Sequence, residues 1–265
     1  MYKMTAIPRG MALIVNNWLF DDDVKGKLTR VGSEIDVDLV KALFEDLGFK
    51  VKTRKNLTKK DLTKELDSVV CQDHSAYDCF VLWLMTHGKS GEVMCSDKDT
   101  ILFETIWDMF SNCRALRGKP KLFFIQACRG DEEDEGMSNV IDADISAYEP
   151  VNESNEANNA VSAEDSVNQP GTTIPTNADI LVAFSTVDRF VAYRNEGKGS
   201  YYIRCLVEVF REHVTDDHLL DILTLVNKKV SEVAVERKSA EKEDEMRICK
   251  QMSEVRHTLR KKLRF

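Results

Sequence analysis

The sequence has few prolines and glycines and contains no long apolar run. Five prolines and twelve glycines among 265 residues exclude a fibrous chain and a wholly disordered one. The longest apolar stretches are as long as a β-strand, far short of the roughly 20 residues that a membrane-spanning helix needs. Near the N-terminus, the apolar run at residues 12–15 is too short for the central region of a signal peptide. We therefore expect a globular protein that neither spans a membrane nor is secreted.

The cysteines follow neither a disulfide pattern nor a metal-binding pattern. Seven cysteines are scattered along the chain, their number is odd, and no Cys-x-x-Cys occurs. A reducing compartment, most simply the cytosol, fits this usage. A phosphate-binding loop is also lacking, because Gly197-Lys198-Gly199-Ser200 has no upstream glycine at the required spacing. We expect a cytoplasmic protein without a metal or another cofactor.

Acidic residues are concentrated in one segment. The net charge is −8, and residues 131–165 contain twelve acidic residues but no lysine or arginine. Without these twelve charges the remainder carries +4, so the rest of the chain is mildly basic. Residues 131–173 also lack hydrophobic periodicity, which indicates a disordered or functional segment rather than part of the core. The uneven charge argues against nucleic acid as a partner of the whole chain.

Short apolar runs alternate with amphipathic helical patterns. The predicted strands are residues 11–16, 49–53, 79–85, 122–125, 180–184 and one within 255–265. Ser33-x-x-Asp36 and Thr58-x-x-Asp61 are capping patterns that open two helices, and Thr215 or Asp216 opens the last helix. This alternation predicts an α/β fold with a mostly parallel central sheet of about six strands and helices on both faces.

Two of the predicted buried strands end in residues that can carry chemistry. His87 follows strand 79–85, and Cys128 follows strand 122–125. The carboxyl ends of parallel strands meet at one edge of a sheet, where ligands bind in open α/β folds. If the two strands are neighbours, His87 can take the proton of the Cys128 thiol and later return it to a leaving amine. The sequence therefore predicts a Cys–His nucleophilic site.

The other cysteines and histidines have no such context. We expect buried, inert side chains for six cysteines, namely Cys71, Cys79, Cys95, Cys113, Cys205 and Cys249. Surface or capping positions are expected for His74, His213, His218 and His257. His213 and His218 flank two aspartates, but a helix end followed by a new helix start explains this pattern better than a metal site does.

The segments around Cys128 and His87 resemble the caspase family. Gln126-Ala127-Cys128-Arg129-Gly130 has the form of the caspase signature, and Thr86-His87-Gly88 lies upstream of it. The similarity extends to further blocks outside the acidic segment, at residues 9–17, 29–36, 192–195, 199–202, 250–252 and 259–265. The resemblance implies a cysteine endopeptidase that cleaves proteins after aspartate, with a role in apoptosis.

The resemblance also implies a role for each matching residue. Cys128 would be the nucleophile and His87 its base, with the backbone N–H groups of Gly88 and Cys128 binding the oxyanion. The substrate-binding residues implied in the same way are Arg30, Gln126, Arg194, Tyr193, Asn195 and Tyr201. Arg30, Arg194 and Gln126 would bind the aspartate side chain, because a guanidinium pairs bidentately with a carboxylate. Tyr193 and Tyr201 stand where the family usually has tryptophan, in the walls of more distant subsites.

Caspases are made as precursors that are cut between a large and a small subunit. By resemblance, residues 1–130 form the large-subunit part, 131–173 the acidic linker and 174–265 the small-subunit part. Asp144 and Asp165 are the first candidates for cleavage, and Asp142 and Asp134 come second. The resemblance further implies a homodimer whose sheets join across a two-fold axis, with protein inhibitors as further partners. Because the chain begins shortly before its first strand, we expect an effector-type enzyme without a recruitment domain, or a chain from which such a domain has been trimmed.

Two alternatives compete with this interpretation. A relative with the same Cys–His pair but basic-residue specificity would need acidic residues in place of Arg30 and Arg194. A catalytically dead dimerisation partner or scaffold would need neither Cys128 nor His87, and the presence of both disfavours it.

Overall fold

The computed structural model describes residues 1–136, 173–238 and 246–265. Met1–Glu135 and Ile174–Phe265 form one unit. The predicted cleavage positions Asp142, Asp144 and Asp165 lie outside the described residues.

Helices and strands alternate along the first half of the chain, as predicted. The strands are β1 (Gly10–Asn16), β2 (Lys50–Lys55), β3 (Cys79–Met85), β4 (Gly88–Lys89), β5 (Glu92–Met94), β6 (Thr100–Leu102), β7 (Lys121–Gln126), β8 (Ile180–Phe184), β9 (Arg194–Asn195), β10 (Gly199–Ser200), β11 (Val235–Lys238), β12 (Met246–Cys249) and β13 (Glu254–His257). The helices are α1 (Ser33–Asp46), α2 (Lys59–Cys71), α3 (Phe103–Ser111), α4 (Tyr201–His213) and α5 (Leu219–Glu232).

Six of these strands form the central sheet, in the order β13-β8-β7-β3-β1-β2. Five of them are parallel, and β13 at one edge runs antiparallel to β8. Every residue of β3 and β7 is buried, which is why these strands are almost continuously apolar. The predicted fold class, an α/β fold with a mostly parallel sheet of about six strands, is confirmed.

Side chains alternate between the two faces of the sheet and feed two hydrophobic cores. On β1, Ala12 and Ile14 pack in the core that contains α1, α4 and α5. Leu13 and Val15 point to the opposite face, where α2 and α3 complete the second core. Helices therefore cover both faces of the sheet, and the carboxyl ends of its parallel strands share one edge.

Two of the three predicted helix starts are correct, although only one of these two has the predicted capping hydrogen bond, and the third start is misplaced. The Thr58 Oγ1 accepts a hydrogen bond from the Asp61 N–H at 3.1 Å, as the capping pattern indicates. The buried Asp36 carboxylate instead accepts hydrogen bonds from Ser200, from its backbone N–H at 2.7 Å and from its Oγ at 2.6 Å. The α1 helix begins at Ser33, as predicted, but it has no side-chain cap, because Ser33 lies inside the helix and its Oγ accepts a hydrogen bond from the Asn16 Nδ2 at 3.0 Å.

The last helix, α5, starts after His218 rather than at Thr215 or Asp216, and it too has no side-chain cap. His218 is therefore the residue at the helix start, within the predicted region between two helices. Among the described residues, no group of His, Cys, Asp and Glu side chains is arranged to hold a metal ion.

Two side chains differ from the predicted burial. Cys71 at the end of α2 is exposed, while the other five cysteines without a predicted role are buried. His74 is buried rather than on the surface, with its Nε2 2.8 Å from the Val69 carbonyl oxygen. Burial lowers the pKa of His74. Over the three described stretches, no helix is both long enough and apolar enough to cross a bilayer.

Three small antiparallel sheets flank the carboxyl edge and were not predicted. They are β4-β5-β6, β9-β10 and β11-β12. Lys238 ends β11, and residues 239–245 lie outside the described ranges.

The first residues of the acidic segment contact the C-terminal part of the chain. Glu132 accepts a hydrogen bond from the Arg189 Nε at 2.9 Å, and Glu133 forms an ion pair with Arg247. The Lys250 N–H donates to the Asp134 carbonyl at 2.7 Å. The chain immediately after Gly130 is thus held against β12 and the loop before β9.

Candidate active site

A cavity of about 380 Å³ lies at the carboxyl edge of the sheet. The predicted site residues that line it are Arg30, His87, Gln126, Cys128, Tyr193, Arg194, Asn195 and Tyr201. The cavity is also lined by residues that sequence reasoning did not select: Thr86, Ala127, Glu133, Val191, Ala192, Val235, Glu236 and Arg237. The structure therefore brings together residues that are up to 207 positions apart in the chain.

Strand pairing brings Cys128 and His87 to the same edge. Strands β3 and β7 are parallel neighbours, with Met85 opposite Gln126. Just beyond them, the Thr86 N–H donates to the Gln126 carbonyl oxygen at 3.1 Å, which extends the pairing. His87 and Cys128 each lie two residues beyond the end of their strand, and their side chains line one cavity.

Gly88 is not a lining residue, but its backbone lies against that of Cys128. A Cβ atom at position 88 would be 2.8 Å from the Cys128 carbonyl oxygen and 2.9 Å from the Glu92 carbonyl oxygen. Both distances are too short for a side chain, so only glycine fits without movement of the backbone.

The Cys128 thiol contacts the peptide of Ala192. The Ala192 N–H donates to Sγ at 3.4 Å, and Sγ lies 3.8 Å from the Ala192 carbonyl oxygen. Cys128 is only partly buried, unlike Cys79, whose burial raises its thiol pKa. Because a thiolate forms less readily in an apolar interior, Cys128 is better placed for reaction than the buried thiols are.

His87 is oriented by a backbone carbonyl. Its Nε2 lies 2.7 Å from the Leu28 carbonyl oxygen, and its ring centroid is 5.1 Å from that of Phe20. A carbonyl can only accept a hydrogen bond, so Nε2 carries the proton and Nδ1 is the basic nitrogen of the neutral ring. Burial lowers the pKa of His87, and the positive charges of Arg30 and Arg194 lower it further. The imidazole is therefore neutral, and able to accept a proton, at neutral pH.

Two guanidinium groups give the cavity a positive potential. Arg30 is 1% exposed and donates from Nη1 to the Asn16 Oδ1 at 2.9 Å and the Asn17 carbonyl at 3.0 Å. Burial lowers the pKa of Arg30 to about 9, and the charge of Arg194 contributes, but the group remains protonated at neutral pH. Within the described ranges, the Nε and Nη2 donors of Arg30 form no hydrogen bond.

Arg194 completes the positive side of the cavity. Its Nε donates to the Val31 carbonyl at 3.0 Å, and burial lowers its pKa. Asp36 is the buried carboxylate whose charge acts on both guanidinium groups, and its oxygens already accept bonds from Ser200. The site can therefore bind a carboxylate from outside the chain.

Gln126 lies on the floor of the cavity with a free acceptor. Its side chain is 3% exposed, and its Oε1 has no hydrogen-bond partner within the described part of the chain. Because leaving a buried polar atom unpaired costs about 1–3 kcal/mol, a ligand that donates a hydrogen bond to Oε1 gains that energy, whereas a carboxylate would accept from the amide Nε2.

The far wall carries aromatic and charged side chains. The Tyr193 N–H donates to the Gln251 Oε1 at 2.9 Å, which fixes the start of β9. The Arg237 guanidinium lies 5.9 Å from the centroid of the Tyr193 ring, and its Nε is 3.5 Å from the Glu133 Oε1. The sequence around Glu133 and Arg237 is highly charged, which is typical of a solvent-exposed surface. It gives no indication that either residue lines the site.

Comparison with known proteins identifies the family. The profile described as Caspase domain matches residues 9–264 of this chain. The chain belongs to the caspase family. Caspases are cysteine-type endopeptidases, and the match places this chain in that enzyme class.

Individual caspases match over most of the chain. Caspase-1 from Spodoptera frugiperda is 34% identical over 235 residues, which cover 87% of this chain and 70% of that protein. Caspase-3 from Bos taurus is 32% identical over 266 residues, covering 100% of this chain and 87% of that protein. Caspase-2 from Gallus gallus is 32% identical, and the match spans only 58% of its length.

The fold matches that of a solved caspase. The crystal structure of caspase-1 from Spodoptera frugiperda superimposes with a TM-score of 0.80 at 31% sequence identity, over 99% of this chain and 91% of that one. The six-stranded sheet and its flanking helices are thus a caspase fold.

Proposed function

We propose that this caspase cleaves proteins after aspartate residues and acts in apoptosis. The observation that carries the proposal is a single cavity that is lined by a partly exposed thiol, a neutral imidazole and two guanidinium groups. A thiol beside a neutral base suits nucleophilic attack on a peptide bond. Two cations beside an amide suit binding of one acidic side chain.

Each residue has a step in the reaction. His87 accepts the Cys128 proton at Nδ1, and the thiolate attacks the carbonyl carbon of the aspartyl peptide bond. The oxyanion accepts hydrogen bonds from the backbone N–H groups of Gly88 and Cys128. His87 then protonates the leaving amine, which departs and leaves an acyl-enzyme on Cys128. Water, activated by His87, hydrolyses this thioester and regenerates the thiol.

Arg30, Arg194 and Gln126 select the side chain before the scissile bond. A neutral side chain in this pocket leaves two desolvated cations without a counter-ion, so the pocket rejects it. Tyr193, Asn195 and Tyr201 line the same cavity and would contact the residues further upstream in the substrate. Basic-residue specificity is disfavoured because it would bring a third cation beside Arg30 and Arg194.

A peptide-cleavage assay tests the proposal. Acidic tetrapeptide reporters that differ only in the last residue, aspartate, asparagine or lysine, are offered to the wild type and to Cys128→Ala. We expect turnover of the aspartyl reporter by the wild type alone. A folded wild type that turns over none of the reporters would instead support the second candidate, a dimerisation partner or scaffold.

Activation by cleavage is part of the proposal. The acidic segment between the two parts of the chain offers Asp144 and Asp165 as sites, and cutting there would separate residues 1–130 from 174–265. Replacing both aspartates with alanine should leave a single chain when self-processing is followed by intact mass. An unaltered two-chain product from that variant would exclude these two positions.

The dimer is proposed from the edge of the central sheet. Strand β13 is an edge strand, so its outer backbone groups can pair with β13 of a second copy across a two-fold axis. Analytical ultracentrifugation should then give about twice the chain mass of 30.2 kDa. A cytoplasmic location and control by protein inhibitors complete the proposal.

A further inference from the structure

The loop between β1 and α1 supplies two groups to the site. The Leu28 carbonyl oxygen binds the His87 Nε2 at 2.7 Å, and the Arg30 side chain lines the cavity two residues later. Residues 17–32 contain no helix or strand, so the position of both groups depends on contacts within the loop and at its ends.

One carboxylate holds the tip of this loop together. The Asp23 side chain accepts hydrogen bonds from the backbone N–H groups of Lys27 at 2.9 Å, Leu28 at 2.8 Å and Thr29 at 2.9 Å. The Thr29 hydroxyl adds a fourth bond at 3.2 Å. Slight burial opposes ionisation of Asp23, but the bonds from Leu28, Thr29 and Lys27 outweigh it and lower its pKa. Asp23 is therefore ionised and fully engaged at neutral pH.

The same turn is closed by backbone bonds. The Gly26 N–H donates to the Asp23 carbonyl oxygen at 2.9 Å, and Gly26 has a φ of 63°, in the left-handed region that glycine favours. After the turn, the Arg30 N–H donates to the Trp18 carbonyl oxygen at 2.9 Å. Asp23 thus fixes residues 27–29 from one side while the Trp18 contact fixes the chain from the other.

We propose that Asp23 is a positioning residue for the catalytic imidazole. It anchors Leu28 through the backbone N–H, so that the Leu28 carbonyl points at His87 and keeps the proton on Nε2. This inference rests on the proposed function, in which His87 is the catalytic base. Asp23 touches neither the substrate nor the reacting atoms.

The charge of Asp23 adds a second, separable effect. The charged groups that act on His87 are Arg30 and Arg194, which disfavour the imidazolium, and Asp23, which favours it. Removing the Asp23 carboxylate therefore moves the pKa of His87 further down. Asp23→Ala removes both the hydrogen bonds that hold the turn and the charge, whereas Asp23→Asn removes the charge and keeps an acceptor oxygen. We therefore expect the two variants to behave differently.

Steady-state kinetics with the aspartyl reporter test the inference. We expect Asp23→Ala to lower kcat about tenfold to a hundredfold, since small misplacement of a catalytic group has effects of this order. The acid limb of the pH–rate profile should move to lower pH. Asp23→Asn keeps an oxygen that accepts from the loop N–H groups, so it should recover part of kcat while keeping the shifted acid limb. If Asp23 had a purely structural role, kcat and the acid limb of the pH–rate profile would not change independently of each other in the two variants.

Asp21→Ala is the matched control. Asp21 is an exposed aspartate two positions away, and its carboxylate bonds to none of residues 27–29. This variant removes the same unit of charge and should leave kcat within about twofold of the wild type. If the wild type is active and Asp23→Ala matches Asp21→Ala in both kcat and acid limb, the inference is wrong.

A second measurement does not depend on activity. Nitrogen chemical shifts of the His87 ring, recorded in the Cys128→Ala background, report which nitrogen carries the proton. We expect the Nε2–H form with Asp23 present, a mixture of tautomers in Asp23→Ala, and a smaller share of the second tautomer in Asp23→Asn, which also serves if the alanine variant does not fold. An unchanged Nε2–H form in every folded variant would overturn the inference even if the wild type proved inactive, whereas inactivity of the wild type alone would overturn only the proposed protease function.

Discussion

Replacing Arg30 with methionine should remove most of the preference for aspartate over asparagine. Arg30 is 1% exposed and shares the cavity with Arg194, so its charge is poorly screened and strongly coupled to any bound carboxylate. Methionine has a similar length and no charge. The substitution therefore tests the charge of the pocket more than its shape.

The size of the effect follows from the contacts that a buried carboxylate would lose. A hydrogen bond to a charged group contributes about 1.5–3 kcal/mol, and a bidentate contact contains two of them. Breaking a buried ion pair costs about 3–5 kcal/mol, in agreement with that sum. At about 1.4 kcal/mol per tenfold change, kcat/KM for the aspartyl reporter should fall roughly 10²- to 4 × 10³-fold.

The asparaginyl reporter is the matched substrate. Its neutral amide gains little from Arg30, so kcat/KM for this reporter should change less than about tenfold. The ratio of the two kcat/KM values should then collapse in Arg30→Met and stay unchanged in Arg114→Met, in which an exposed arginine outside the cavity is replaced. A folded Arg30→Met variant that keeps the wild-type ratio would refute the carboxylate pocket.

Three further predictions concern activity and stability. Gly88→Ala should lower kcat by about 10²-fold in a folded protein, because the new Cβ would sit 2.8 Å from the Cys128 carbonyl oxygen and must displace it; wild-type kcat would contradict this. His74, whose pKa is lowered by burial, binds a proton more readily in the unfolded chain, so the free energy of unfolding should fall as the pH drops below about 6.5. Urea titrations from pH 7.5 to 5.5 should show a weaker pH dependence in His74→Gln, and an equal dependence would exclude this cause. Arg129→Met should lower the free energy of unfolding by about 1.5–3 kcal/mol, because Glu254 loses its charge-assisted hydrogen bond from Arg129 while it keeps its ion pair with Arg256; Arg129→Met combined with Glu254→Gln should recover part of the loss, and strict additivity would contradict the pairing.

Much of the fold could be predicted because its strands are buried on both faces. The apolar runs at Cys79–Met85 and Ile180–Phe184 match the observed strands at both ends, since few other structures bury so many consecutive apolar residues. The meeting of His87 and Cys128 followed from the same logic: neighbouring parallel strands end at one edge.

What could not be predicted depends on contacts between distant residues. The pattern Ser33-x-x-Asp36 predicts a helix cap, but Ser200, which is 164 positions away from Asp36, binds the Asp36 carboxylate. His74 is predicted at a surface or capping position, yet its ring packs against the rings of Tyr77 and Phe80. No local pattern carries information about either environment.

Backbone groups, and charged side chains that line the cavity, are a second kind of feature that the sequence does not reveal. The Leu28 carbonyl that orients His87 would be present whatever the side chain at that position, so sequence letters cannot reveal it. Glu133 looks like one of twelve solubilising acids, but it pairs with Arg247 and lines the cavity.

Covalent capture of the nucleophile tests the central claim most directly. A peptide that ends in an aspartyl halomethyl ketone presents an electrophilic carbon at the position of the scissile bond, and peptide mapping by mass spectrometry then locates the adduct among the seven cysteines. We expect a single adduct on Cys128, slow labelling in His87→Ala, and no labelling by the lysyl analogue. An adduct on the exposed Cys71 instead, or equal labelling of Cys128 by the aspartyl and lysyl reagents, would contradict a Cys–His pair beside a carboxylate pocket.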